Sequence, residues 1–217
     1  MSGDRLVYLV DDDAAIRRSV GFVLKTARFQ VKPYESGVDF LKGVTQDAPG
    51  VILLDIRMPG LDGLGVQRDL QSRGITHPVI VLTGHGDTGM AVHAMKAGAL
   101  DFFEKPFERL ALLEAIERGF ERLHQSHELQ ERKRDALTRL EALSILEKEV
   151  LHGLACGHPN RTIAFDLGIS PRTVEIHRAN MMTKLEVSTL SEVLRIAFAA
   201  DMGDQDLPPR APRLIDS

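Results

Sequence analysis

Residues Val51–Gly60 run "VILLDIRMPG". Val51 to Leu54 are apolar without alternation, the mark of a strand covered on both faces. The run ends on a carboxylate, Asp55. Arg57 follows, then Pro59 and Gly60, which suit a tight turn leading to a further glycine, Gly63. Inside the sheet a lone charge would lack water, so Asp55 must sit where the strand emerges.

Short apolar runs recur on either side of it, up to about residue 107: Leu6–Val10, Phe29–Pro33, Val79–Leu82 and Leu100–Phe103. Between the first two, Ile16, Val20, Val23, Leu24 and Ala27 repeat at helical spacing. Strand–helix alternation of this kind predicts a doubly wound, flavodoxin-like α/β domain, a parallel five-stranded sheet with helices on both faces. Ligands of such folds bind beyond the carboxyl ends of the strands, at the switch point.

The first strand also ends in acids, Asp11, Asp12 and Asp13. Asp13 directly precedes the helical pattern and reads as its N-cap. In flavodoxin-like order strands one and three are neighbours, so Asp11, Asp12 and Asp55 converge. Three close carboxylates repel one another. A hard divalent cation, Mg2+ or Mn2+, relieves that repulsion and completes its shell with substrate phosphate. The fourth strand presents Thr83 and the fifth Lys105, a hydroxyl and a point cation suited to a phosphoryl group. The set fits an aspartate that attacks phosphorus.

Beyond residue 107 the chain reads as one long helix or two abutting ones, to about 142. Leu113, Ile116, Phe120 and Leu123 form an apolar stripe, which fades through "HQSHELQERKRD" and resumes at Leu137, Leu140 and Leu143. The polar middle reads as a solvated linker helix, and the heptad breaks at His127 and Gln130 speak against a true coiled coil. From 144 to about 200 there is no strand pattern. Ser144 and Glu147 form a capping box, and Gly157 closes that helix. A short helix runs from Asn160 to Leu167 and ends at Gly168. Ser170-Pro171 starts the next, over 171–184, and a fourth begins near Ser188. Helix, glycine turn and a clean second start make a helix-turn-helix signature. The reading faces outward through Arg172, Thr173, Glu175, Ile176, Arg178 and Ala179, with Val174, Met181 and Leu185 inward. Glu175 suits a cytosine amino group and Arg178 a guanine or a phosphate; Arg161 and Lys184 suit phosphates.

Composition bounds the setting. The chain has 217 residues and a net charge of −4, which argues against a generally basic nucleic-acid coat. From 157 to 184 four Lys or Arg face two Asp or Glu, so the positive charge is local to the proposed groove face. The single cysteine, Cys156, reads as packing and suits a reducing, cytoplasmic setting. No apolar run reaches membrane length, and "LVYLV" followed by "DDD" is no signal peptide.

Residues 5 to about 123 resemble a response-regulator receiver domain, through "VDDD", "LLDIRMPGLDG", "LTGHGD" and "KAGALDFFEKPF". The resemblance implies that Asp55 is the phosphoacceptor of a sensor histidine kinase. It also implies that Asp11 and Asp12 form the acid pocket, with Asp12, Asp55 and the backbone carbonyl of Arg57 on the metal. Thr83 and Phe102 would be the switch pair, Lys105 the phosphate-sensing cation, and the Lys105–Pro106 bond cis. The segment from Ser144 onward resembles the four-helix DNA-binding domain of the FixJ/NarL, LuxR-type family. The domains expected are a receiver at 1–123, a helical linker at 124–142, the DNA-binding domain at 143–202 and a disordered tail at 203–217. The function implied is a transcriptional regulator, not an enzyme, that dimerises when phosphorylated and engages promoter DNA and RNA polymerase. Two alternatives stand beside it: a DNA-binding regulator that needs no phosphorylation, and a metal-dependent phosphatase working through an aspartyl-phosphate. The phosphatase would want an acid two residues after Asp55, where this chain has Arg57.

Overall fold

The computed structural model describes residues 5–46, 48–84 and 88–203. The chain divides into two compact units, Met1–Ser126 and His127–Ser217. No helix among the described residues is long and apolar enough to cross a membrane.

The first unit alternates strand and helix. Its elements are β1 (Leu6–Val10), α1 (Ala14–Thr26), β2 (Gln30–Tyr34), α2 (Gly37–Gly43), β3 (Val51–Asp55), α3 (Gly63–Ser72), β4 (Val79–Thr83), α4 (Thr88–Lys96), β5 (Asp101–Glu104) and the start of α5 (Arg109–Leu140). The five strands are parallel, in the order β2-β1-β3-β4-β5. This is the expected flavodoxin-like sheet. Alternate residues of each central strand enter different cores. Tyr8, Val10, Ile52, Leu54 and Val81 pack with Phe40, Val66 and Leu70. Val7, Leu9, Val51, Leu53, Ile80 and Leu82 pack with Leu24, Leu112 and Ile116. Burial on both faces is what makes these strands apolar throughout. Edge strand β2 carries Pro33, whose missing N–H is tolerated there.

Several boundaries shift by a residue from the expected runs. Phe29 is not in β2: its N–H goes to Leu24 O after Arg28 turns through φ 65°, and its ring is buried. β3 and β4 each run one residue further, taking in Asp55 and Thr83. β5 starts at Asp101, with the Leu100 N–H given to Val79 O. The Lys105–Pro106 bond is cis, as the resemblance implied.

α5 is a single helix. Its first turns bury Leu112, Ala115 and Ile116 in the first unit. Its last turns bury Ala136 and Leu140 in the second, beside Leu143. Leu137, expected on that stripe, is 48% exposed, so Ala136 takes the inward place. Arg139 donates to Leu185 O at 2.6 Å, and Lys133 pairs with Asp201. The last turns of α5 are thus packed where the apolar stripe was expected to resume.

The second unit continues with α6 (Ile145–Ala155), α7 (Asn160–Leu167), α8 (Pro171–Lys184) and α9 (Leu190–Ala199). Ser144 and Glu147 form the capping box of α6. Gly168 takes φ 67°, a left-handed C-cap that lets the chain turn sharply from α7 into α8. Ser170 caps α8 by accepting from the Thr173 N–H, with Pro171 at the first turn. α9 starts at Leu190, two residues later than Ser188, because Thr189 and Glu192 make a second capping box. Val150, Leu151, Ile163, Val174, Met181, Leu185 and Val193 form the core. Apart from Gly203, the expected tail lies outside the described residues.

Candidate functional site

Three strand ends and one loop build the first site. Asp11 follows β1, is fully buried, and is held on every side. Its N–H goes to Tyr34 O and its carbonyl accepts from Arg17 Nη1 at 2.6 Å. Asp11 Oδ1 accepts from the Asp13 N–H at 2.9 Å, and Asp11 Oδ2 takes the Lys105 ammonium at 2.6 Å. Asp13, as expected, caps α1 by accepting from the Ala15 N–H at 2.7 Å. Asp55 ends β3, paired with Leu82 of β4, and lies 3.2 Å from Lys105 Nζ through its Oδ1. Asp12 is exposed. One ligand atom from each of Asp11, Asp12 and Asp55 falls within 4.8 Å of the others.

The electrostatics follow from burial. Asp55 is 5% exposed. Desolvation pushes its carboxyl above the ordinary carboxylate value, Asp11 and Asp12 push the same way, and Lys105 opposes them. One ammonium therefore serves two buried acids beside a third. An all-oxygen donor set of this kind, short of positive charge, fits a hard divalent cation.

Thr83 ends β4, 1% exposed, and its Oγ1 has no hydrogen-bond partner among the described residues. The loop after β5 donates the Lys105 N–H to Thr83 O at 2.7 Å, which ties the lysine to the hydroxyl's own backbone. Phe102 pairs with Val81 in the sheet and is half-buried against the Tyr8 core. Arg57 lies in the loop after β3 with its side chain exposed. Of the "LTGHGD" motif, residues 85–87 lie outside the described residues.

Two groups escaped the sequence reading. Arg17 supports Asp11 from one turn into α1, and only its helical phase hinted at that. Gly63 opens α3 with its N–H on Ile56 O at 2.9 Å, and a Cβ there would lie 2.5 Å from the Asp55 carbonyl oxygen. The glycine was visible but its partner was not.

The second site is the outer face of α8. Arg172, Glu175, Ile176 and Ala179 line a shallow open depression of about 530 Å³. Val174, Met181 and Leu185 face the core, as expected. Thr173 Oγ1 lies 2.8 Å from Ser170 Oγ, and Arg178 Nη1 donates to Asn160 Oδ1 at 3.2 Å. Lys184 is not free: its ammonium lies 2.7 Å from Oε2 of Glu147, a buried acid. Burial works against the Glu147 carboxylate, but Lys184 and the N–H and hydroxyl of Ser144 outweigh it and hold its pKa below the usual value. Arg161 is exposed on α7.

Comparison with known proteins finds a family match in each unit. Residues 7–117 match the response regulator receiver domain, and residues 141–197 match the bacterial regulatory proteins of the luxR family. The chain belongs to the response regulators that join a receiver to a luxR-type DNA-binding domain, transcriptional regulators whose output depends on phosphorylation. It is 44% identical over 200 residues to the transcriptional regulatory protein FixJ of Rhizobium meliloti, covering 92% of this chain and 98% of that one. It is 39% identical to the tetrathionate response regulatory protein TtrR of Salmonella typhimurium, covering 87% and 90%. Among solved structures, the response regulator StyR superposes with a TM-score of 0.74 at 35% identity, covering 90% of this chain and 99% of that one. Full-length FixJ from B. japonicum gives 0.56 at 39% identity, covering 93% and 99%.

Proposed function

We propose that Asp55 accepts a phosphoryl group from a sensor histidine kinase, and that the phosphorylated receiver favours a homodimer that binds promoter DNA through α8 and recruits RNA polymerase. The carrying observation is the Lys105 ammonium, 2.6 Å from Asp11 and 3.2 Å from Asp55. A carboxylate oxygen of Asp55 attacks phosphorus, and the kinase histidine leaves. Lys105 then has a second anion to choose, the phosphoryl oxygens, and Thr83 has a partner for a hydroxyl that is otherwise unpaired among the described residues. Their movement toward the phosphoryl group is what would couple it to β4, β5 and the half-buried Phe102. With no hydroxyl, Phe102 acts by packing alone.

Asp12, Asp55 and the Arg57 carbonyl would hold Mg2+ or Mn2+, with Asp11 completing the acid pocket; the ion would offset the charge of the incoming oxygens. Two residues after Asp55, Arg57 offers no acid or base for hydrolysing the aspartyl-phosphate. That favours a stored signal over phosphatase turnover. We place the protein in the cytoplasm, where the kinase and DNA would meet it. The receiver occupies about 1–123 and the DNA-binding domain about 143–202, with the last turns of α5 packed onto the latter's core.

Phosphorylation shifts a population between two states rather than creating a new one. The dimer surface proposed is α4 with the start of α5, where Val92 and Met95 are about half exposed. Light scattering of the full chain with acetyl phosphate and Mg2+ tests the reading. The expected result is a mass shift to dimer that Asp55→Asn abolishes; an identical response in that variant refutes it. A gel shift with and without beryllofluoride separates this regulator from one that binds DNA unphosphorylated.

A further inference from the structure

The outer face of α8 is sorted by its contacts into free and engaged side chains. Arg172, Glu175, Ile176 and Ala179 are spaced i, i+3, i+4, i+7, one stripe of the helix. Among the described residues Arg172 and Glu175 have no ion pair or side-chain hydrogen bond. Thr173, Arg178 and Lys184 are each tied back into the unit, to Ser170, Asn160 and Glu147. Pulling Lys184 away would leave a buried carboxylate without its counter-ion, a costly exchange for one phosphate contact.

The chemistry of the free stripe is mixed in an informative way. Ile176 is 52% exposed in the middle of a polar face, beside the small Ala179. An acid, Glu175, stands next to them, although a polyanion would repel it. It is tolerated against DNA only where it finds a donor, and the cytosine 4-amino group is the donor that suits a carboxylate in the major groove. The apolar pair likewise has one apolar feature to meet there, the thymine 5-methyl group. Arg172, in the first turn where recognition helices meet base edges, offsets the Glu175 charge and suits guanine.

Resting on the proposed DNA-binding role of α8, we infer that the stripe Arg172–Glu175–Ile176–Ala179 alone reads sequence. It seats a thymine methyl on Ile176 and Ala179 beside a C·G pair accepted by Glu175, while Arg178 and Lys184 brace the domain.

The test begins with full-length protein, activated by beryllofluoride, selecting from a random duplex library. A half-site with adjacent T·A and C·G pairs is expected. Replacing that thymine by deoxyuracil removes only the methyl group and should weaken binding about fourfold, from ~0.8 kcal/mol per buried carbon. Ile176→Ala should show no such difference. Glu175→Ala should lose the C·G preference, worth about five- to 150-fold for a good base contact, while still binding duplex. Lys184→Gln, which can still hydrogen-bond Glu147, should leave the salt dependence of binding unchanged. The inference falls if deoxyuracil binds as well as thymine, if Glu175→Ala keeps the preference, or if Lys184→Gln lowers the salt slope by about one. If no sequence is enriched although the activated protein dimerises, the DNA-binding reading of α8 falls, and the inference with it.

Discussion

A Cβ added at Gly63 would lie 2.5 Å from the backbone carbonyl oxygen of Asp55, and 2.9 Å from Ile56 Cα. Both obstacles are backbone, so no rotamer change can relieve the clash. Gly63→Ala must therefore push α3 away from the loop that carries Asp55 and Arg57. Overpacking of this kind costs about 1–3 kcal/mol. The expected outcome is a lower unfolding midpoint and slower labelling by acetyl phosphate. Labelling at the wild-type rate would show that the loop absorbs the methyl group without moving the acid.

Asp55 makes a second prediction, on stability. Its carboxyl is raised mainly by burial, with Asp11 and Asp12 adding to the effect. An acid whose folded pKa is raised binds its proton more tightly when folded. Its ionised form therefore costs stability above the raised value, and the cost vanishes as pH falls through it toward 3.8, the ordinary value. Asp55→Asn removes that charge. In metal-free buffer it should raise the melting temperature at neutral pH, with the gain shrinking toward about pH 4. A variant less stable than wild type at neutral pH would contradict this.

Much of this was legible in the sequence, and what was not has a physical reason. Strand-end acids announce themselves because a run of buried apolar residues cannot hide a charge, so the grouping of Asp11, Asp12 and Asp55 is legible in the sequence. Caps and glycine turns are local, and Ser144, Gly168 and Ser170 could be placed in the same way. Lys184 could not: its partner Glu147 lies far away in sequence, and a lysine on a charged face carries no mark of what it touches. Ala136 was missed because hydrophobicity favours Leu137, whereas the closeness of α5 to its core favours the smaller residue.

Lys105 is the cation paired with the side-chain carboxylates of both Asp11 and Asp55 among the described residues, and its side chain is only 15% exposed. Lys105→Met leaves two buried carboxylates and Asp12 without it. Breaking such a group costs at most about 3–5 kcal/mol, less here because Asp55 can take up a proton. A divalent cation would restore the balance. Urea unfolding of the full chain should show a larger Mg2+-dependent stabilisation for the variant than for wild type. Equal Mg2+ gains would mean that the lysine and the cation do not share the same acids.

Glu147 joins the start of α6 to the end of α8: its Oε2 accepts from the Ser144 N–H at 2.7 Å and from Lys184 at 2.7 Å. Burial alone would raise its pKa, but these partners win and lower it. For a depressed carboxyl the stabilisation is fully present above the ordinary value of 4.5, and is lost as pH falls through the folded value. Glu147→Gln keeps an acceptor for the cap but removes the charge. The expected loss is about 1–2 kcal/mol at neutral pH, the scale of a charged hydrogen bond combined with a weakened cap. Because Lys184 is 42% exposed, solvent limits the share due to its charge. Melting curves of wild type and variant should converge as the pH is lowered from 4.5 through the folded value. A gap that persists unchanged into acid would mean that Glu147 acts by shape alone, and that its pairing with Lys184 contributes nothing to the bracing of α8.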